Sequence, residues 1–406
     1  MSIKALGQDR AHGVAMSTAA TRRPYAGPAL FSFGFRPFFL LGALWSALVV
    51  PMWLSSFLHG GPEAFTRDWH VHEMIFGFLA AVMAGFLTTA IPNWTGRMPV
   101  IGAPLGGLVA LWVAGRASML YAPVLGPLAS VIDSAFLVAF AAIVWREVLA
   151  GRNWRNLPVC VLVSLFALAN VAFHLRQTNG LNDFGVRLAL GSACVLITLI
   201  GGRLTPSFTR NWLHARKILR EPAAASIFDT GVVILTGLAA AAWVAFPDVL
   251  LTGAALLGAG AANLFRLARW RGWAAAREPL VWILHLGYGW LATGLLLLGA
   301  AVLDPALVPL TAGIHAVTVG AVGVMTLAVM TRATRGHTGR PLTAGGATTM
   351  IYLAINLAAL LRVAAPFTGA AHAWLLSASG LAWTCAFAGF AIVYGRMLTT
   401  AKPLTS

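Results

Sequence analysis

The chain has 406 residues, 59% of them apolar and 10% charged; a soluble domain carries about a quarter charged residues, so this balance excludes one. Lys and Arg outnumber Asp and Glu by 28 to 12, for a net charge of +16. No nucleic-acid-binding module accompanies that charge, so the basic residues need another explanation.

Residues 1–30 carry Arg, Ser and Thr but no apolar run ending in a cleavage site, the pattern of a loosely ordered cytoplasmic tail rather than a signal peptide. Crossing roughly 30 Å of hydrocarbon takes about twenty apolar residues. Runs of that kind predict spans at 37–58, 72–93, 102–121, 125–145, 157–175 and 184–202, then at 227–246, 249–267, 280–301, 305–331, 346–366 and 373–396. The reading is an all-α polytopic bundle of twelve transmembrane helices forming one domain over 31–400, with the lipid bilayer as its surroundings and no room for a soluble domain of ordinary size. If the N-terminus is inside, the tail and the loops after even-numbered spans hold 23 of the 28 basic residues and the other side holds five. That positive-inside bias predicts both termini in the cytoplasm. The basic loops 203–221 and 266–277 are then topology signals that also meet anionic lipid. Cys160, Cys194 and Cys385 fall singly inside spans, without a C-x-x-C pattern, and read as small packing residues.

Span two contains an internal echo. HEMIFGFLAAVMAGFLTTAIPNWTGR at 72–97 aligns without a gap to HAVTVGAVGVMTLAVMTRATRGHTGR at 315–340 in span ten. His72 falls on His315, Gly77 on Gly320, Thr88 on Thr331, and one TGR on the other. Each histidine precedes its TGR by 23 residues, about 34 Å of helix at 1.5 Å per residue. Because the TGR turns belong to the basic side, both histidines are expected at one depth near the outer face. Spans two, six and ten would be equivalent in three groups of four; span six ends in the related GGRLTPSFTRNW but has no histidine.

An ionisable side chain inside a span costs several kcal/mol unless partnered, so each one is a functional candidate. His72, His315, His174 and His285 qualify. A neutral imidazole ligates metals and haem iron and serves equally as an interhelical hydrogen-bond partner. The matched depth favours His72 and His315 as axial ligands clamping one haem. Residues two apart on a helix point about 200° from each other, so His70 is turned away from that iron. His70, His174 and His59 are copper candidates, imidazole being a good copper ligand. Glu73 would be an acceptor behind the histidine or an outer-face proton group. His372 and His59 at outer span ends read as facing water or headgroups, and His12, His214 and His337 lie in cytoplasmic segments. Arg116, Arg187 and Arg362 interrupt apolar spans near the outer face; guanidinium forks hold carboxylates, which makes Arg116 and Arg362 candidates for haem propionates. A purely structural ion pair with Asp133 competes for Arg116.

GFRPFFLLGALW at 34–45, WHVHEMIFGFLAAVMAGFLTTAIPNWTGR at 69–97, GGRLTPSFTRNW at 201–212 and GIHAVTVGAVGVMTLAVMTRATRGHTGRPL at 313–342 resemble the NnrS family, the likeness covering spans one to ten and continuing weakly to the end. The resemblance implies a bacterial inner-membrane protein that carries haem and copper and is linked to the response to nitric oxide and nitrosative stress. Three readings of function result. The first is a haem- and copper-binding protein that relieves nitrosative damage by binding nitric oxide or handling nitrosylated iron. The second is a redox enzyme resembling the haem-copper oxidases, acting on nitric oxide or oxygen; against it, span six has no histidine. The third is a membrane transporter, which inverted repeats would favour, whereas the echo runs in one direction.

Overall fold

The computed structural model describes residues 25–62, 65–179 and 183–401, the side chains of 176–179 excepted. The tail up to residue 24, with His12, lies outside them. Twelve helices are long and apolar enough to cross a membrane. They are α1 (Phe35–His59), α2 (Arg67–Thr95), α3 (Ala103–Leu120), α4 (Pro127–Ala150), α5 (Trp154–Leu175) and α6 (Phe184–Ala215), followed by α7 (Ile227–Ala245), α8 (Leu250–Arg269), α9 (Pro279–Leu303), α10 (Leu310–His337), α11 (Gly346–Phe367) and α12 (Gly369–Thr399). Each falls on a run expected from hydropathy, because in lipid the backbone must bond to itself and a helix does so within one segment.

Local chemistry sets many of the ends. Thr66 accepts from the Trp69 amide at the start of α2, Ser226 and Asp229 form a capping box at α7, and Glu278 with Pro279 opens α9. Both TGR turns place their glycine in the left-handed region, Gly96 at φ +70° and Gly339 at φ +73°, where a Cβ is disfavoured. The echo therefore extends to backbone conformation.

One expectation is corrected. The segment after residue 202, read as a basic loop, continues α6 to Ala215. It is amphipathic: Trp212 and Leu213 pack against Ala275 and Val281 beside α9, and its charged residues face outward. A hydropathy window registers only the all-apolar part of such a helix.

Of the twelve, α2 and α10 have the most buried apolar stretches, 83% and 72%. They touch each other, and α6 touches α10. Around them α1 packs on α12, α4 on α5 and α8 on α9, so the last helix of each group of four meets the first of the next. A single hydrophobic cluster runs from Phe35 to Leu398. The three inner helices share a further feature. Each contains a wide π-helical stretch, at Glu73–Leu79, Ile197–Gly201 and Ala316–Gly323. His72 and His315 are both the residue immediately before it, which supports the depth match and the three-times-four reading.

Candidate functional site

Two polar centres lie at the end of the bundle opposite the TGR turns. The first is a buried charge cluster. On α2, His72 presents Nδ1 to Glu73 Oε1 at 2.9 Å and Nε2 to Asp133 Oδ2 of α4 at 3.0 Å. Arg116 of α3 joins the two acids: Nη1 donates to Glu73 Oε2 at 2.6 Å, and Nη2 donates to Asp133 Oδ1. Trp45 Nε1 adds a bond to Glu73 Oε2 at 2.7 Å. From α5, Asn170 and His174 reach Asp133 Oδ2 at 2.8 and 2.9 Å; they are four residues apart and so share a helix face. Ser134 Oγ donates to the Asn170 carbonyl oxygen at 2.9 Å. His72 and Glu73 have no exposed surface.

Ionised carboxylates only accept hydrogen bonds. An acid oxygen stands at each ring nitrogen of His72, and the Asn170 amide nitrogen lies 3.3 Å from Nε2. The Arg116 guanidinium bridges both acids, and such pairing offsets the desolvation cost of burying charged groups. Gly77 makes room for it: a Cβ there would lie 2.6 Å from Arg116 Nη1 and 2.9 Å from Glu73 Oε2. Ligand atoms of His72, Asp133 and His174 all lie within 4.8 Å of one another, a spacing that can hold a metal ion.

The second centre is a cavity of about 700 Å³ among α1, α2, α6, α7, α9, α10, α11 and α12, toward the end opposite the TGR turns. Its walls include Trp53, Phe78, Trp243 and Trp383, and its polar groups include His70, Arg187, His315, Arg362 and His372. The His70 ring stacks on Trp53 with centroids 4.1 Å apart, and its Nδ1 is buried with no hydrogen-bond partner among the described residues. Nδ1 of His315 donates to the Thr311 carbonyl at 2.7 Å, and Nδ1 of His372 to the Ala365 carbonyl at 3.0 Å. Both bonds fix the tautomer that leaves Nε2 with a lone pair. Nη1 of Arg362 is likewise buried without a partner among the described residues.

The profile of the NnrS protein family matches residues 29–402 of this sequence, nearly its whole length. The chain belongs to the NnrS family. No curated protein matches it in a sequence comparison.

In this NnrS-family chain the candidates read from the sequence sort differently from their depth. His72 and His315 share a level but face different centres; His315 lines the cavity and His72 is enclosed by acids. The turn between His70 and His72 holds, and it is His70 that joins His315. A helix position fixes depth, and side-chain direction decides the compartment. Arg116 is engaged in the ion pairs that were its structural alternative, whereas Arg362 and Arg187 line the cavity. The three copper candidates do not converge: His174 sits with His72, His70 lines the cavity, and His59 is exposed at the end of α1. His285 is an interhelical contact, 2.9 Å from Thr209 Oγ1. His337 packs against Phe35, ring centroids 5.4 Å apart, and exposed His214 meets Glu221. Sequence reading passed over Asn170, Trp45 and the cavity role of His372. For Asn170 a signal existed, its i,i+4 relation to His174 inside an apolar span.

Proposed function

We propose that this chain is a haem- and copper-binding protein of the bacterial inner membrane that relieves nitrosative stress by binding nitric oxide or handling nitrosylated iron. The observation that carries the haem half is the cavity. Its volume lies within the range of about 300–1,000 Å³ common for cofactor sites. Three imidazoles line it, His70 with an orphaned buried nitrogen and His315 and His372 each with Nδ1 anchored to a backbone carbonyl. Such an anchor is what orients histidines that ligate metals. The donor set therefore fits a haem: His70 and His315 would supply imidazole nitrogens, Trp53 and its aromatic neighbours would exclude water, and Arg362, with an unused N–H, would receive a propionate. Haem iron bound there would supply a site for nitric oxide, a gas soluble in the surrounding lipid. By the positive-inside rule the cavity faces the periplasm.

The runner-up, a redox enzyme acting on nitric oxide or oxygen, is favoured by the closeness of the two centres, since His70 and His72 are two residues apart on one helix. The optical spectrum of the purified protein tests the haem reading. A Soret band is expected in the wild type, lost or shifted in His70→Ala and His315→Ala and retained in folded His72→Ala. A wild-type spectrum in both cavity variants would remove the reading. Consumption of nitric oxide with an electron donor would move the assignment to the enzyme.

A further inference from the structure

We infer that a groove on the lipid-facing side of α1 and α12 binds an isoprenoid quinone, with the Thr384 hydroxyl holding a ring oxygen. The inference goes beyond the haem reading and stands on different residues; it names the class of electron donor that the redox alternative needs. The groove has a volume of about 420 Å³, within the range common for ligand sites. Small residues leave the space, Ala47 of α1 with Ala388 and Ala391 of α12, and Leu44 and Ile392 beside them are exposed. Thr384 is the one polar side chain among the described residues that line it. Its Oγ1 is buried and has no hydrogen-bond partner among the described residues. Thr88, Thr89, Thr198 and Thr331, also inside spans, each donate to the carbonyl one turn back. The Thr384 hydroxyl makes no such bond, and hydrocarbon offers no water to replace it. A buried hydroxyl left in that state costs free energy that a ligand oxygen would recover.

Depth selects the ligand. Thr384 is the central residue of α12 and Ala47 that of α1, so the hydroxyl lies near the middle of a hydrocarbon core about 30 Å thick. The ester carbonyls of a phospholipid stay at the headgroup boundary, about 15 Å away. A helix from a second copy has its carbonyls bonded within its own backbone. An uncharged ring on a long apolar tail can bring an oxygen to that level. A quinone carbonyl accepts from the hydroxyl and a quinol O–H donates to it, because a hydroxyl is both donor and acceptor. One residue therefore suits both redox forms. The neighbouring cavity gives the site a use. Trp383 lines that cavity and donates from Nε1 to Ser46 Oγ at 2.9 Å. The next residue on each helix, Thr384 and Ala47, lines the groove, so the Trp383–Ser46 contact stands between the two spaces.

The test titrates the full-length protein in detergent with decylubiquinone and reads the quenching of tryptophan fluorescence. Saturable binding is expected in the wild type and in His70→Ala. Thr384→Val keeps the shape of the side chain and removes the hydroxyl, which should weaken binding by about three- to tenfold, the worth of one hydrogen bond. Ala391→Phe fills the groove from the lipid side and should abolish saturable binding. Dodecane, an apolar chain without an oxygen, should compete poorly. Quenching that does not saturate in the wild type would overturn the inference. Unchanged binding in Thr384→Val, or displacement by dodecane at equal concentration, would do the same, since the groove would then seat any hydrocarbon chain. A wild-type dimer that Ala391→Phe converts to a monomer would assign this face to a second copy instead. Saturable binding by a wild type that shows no Soret band would remove the haem reading and leave the groove standing. A Soret band without saturable binding would do the reverse.

Discussion

Arg116 and Arg362 both interrupt apolar helices near one end of the bundle, and both read from sequence as partners for an acidic group. They should behave differently when changed. Arg116→Leu leaves Glu73 and Asp133 without the guanidinium that bridges them, and removing one partner from a buried ion pair costs about 3–5 kcal/mol. Arg362→Leu removes a guanidinium whose Nη1 has no protein partner among the described residues, so its effect on stability should be small and its effect on haem retention large. Thermal unfolding in detergent, alongside haem content, checks both; equal destabilisation would contradict the division between the two centres. Asp133 is legible in the sequence as a partner for Arg116 because it lies inside an apolar span on the adjacent helix. What could not be read was that His72 completes the same cluster. The helical period gives the angle between His70 and His72, but which side faces the cavity depends on where α4 and α5 pack.

At the scale of one helix, the apolar runs located all twelve spans, and the TGR echo marked two matching turns, whose glycines the structure holds in the left-handed region. The π-helical stretches of α2, α6 and α10 were not legible, because no residue type marks them and every periodicity argument assumes 3.6 residues per turn. They also shift the direction of everything that follows them on the helix. Side-chain donors meet carbonyls in two of these stretches: Trp112 Nε1 donates to Gly77 O at 2.9 Å, and Arg266 Nη1 to Thr198 O at 2.9 Å. Nonpolar surroundings give a carbonyl no water to turn to. Trp112→Phe keeps most of the ring and removes the side-chain donor to the Gly77 carbonyl, which the Ala80 amide also reaches, at a cost of about 0.5–1.5 kcal/mol for one lost hydrogen bond. The same substitution at exposed Trp273, in the turn between α8 and α9, should be neutral. Denaturation midpoints of the two variants decide the matter, and an unperturbed Trp112→Phe would mean that the wide turn satisfies itself.

For the whole molecule, the placing of both polar centres at one end of the bundle has consequences only when it is oriented in a membrane. The polar centres and the TGR turns mark opposite ends, and the basic residues, 23 on one side against five on the other, predict that the TGR end is the cytoplasmic one. That orientation would make the cavity a periplasmic feature and give its arginines and histidines access to solutes outside the cell. It is open to direct measurement, since Cys160 and Cys194 are buried and Cys385, in the middle of α12, can be changed to Ser. On that background Leu307→Cys, in the exposed turn between α9 and α10 on the cavity side, should react with a membrane-impermeant maleimide in intact spheroplasts. Arg335→Cys, one helical turn before the second TGR, should react only after lysis. The reverse pattern would invert the molecule, put the cavity in the cytoplasm and leave the positive-inside distribution without its usual meaning, while the internal geometry of both centres would stand unchanged.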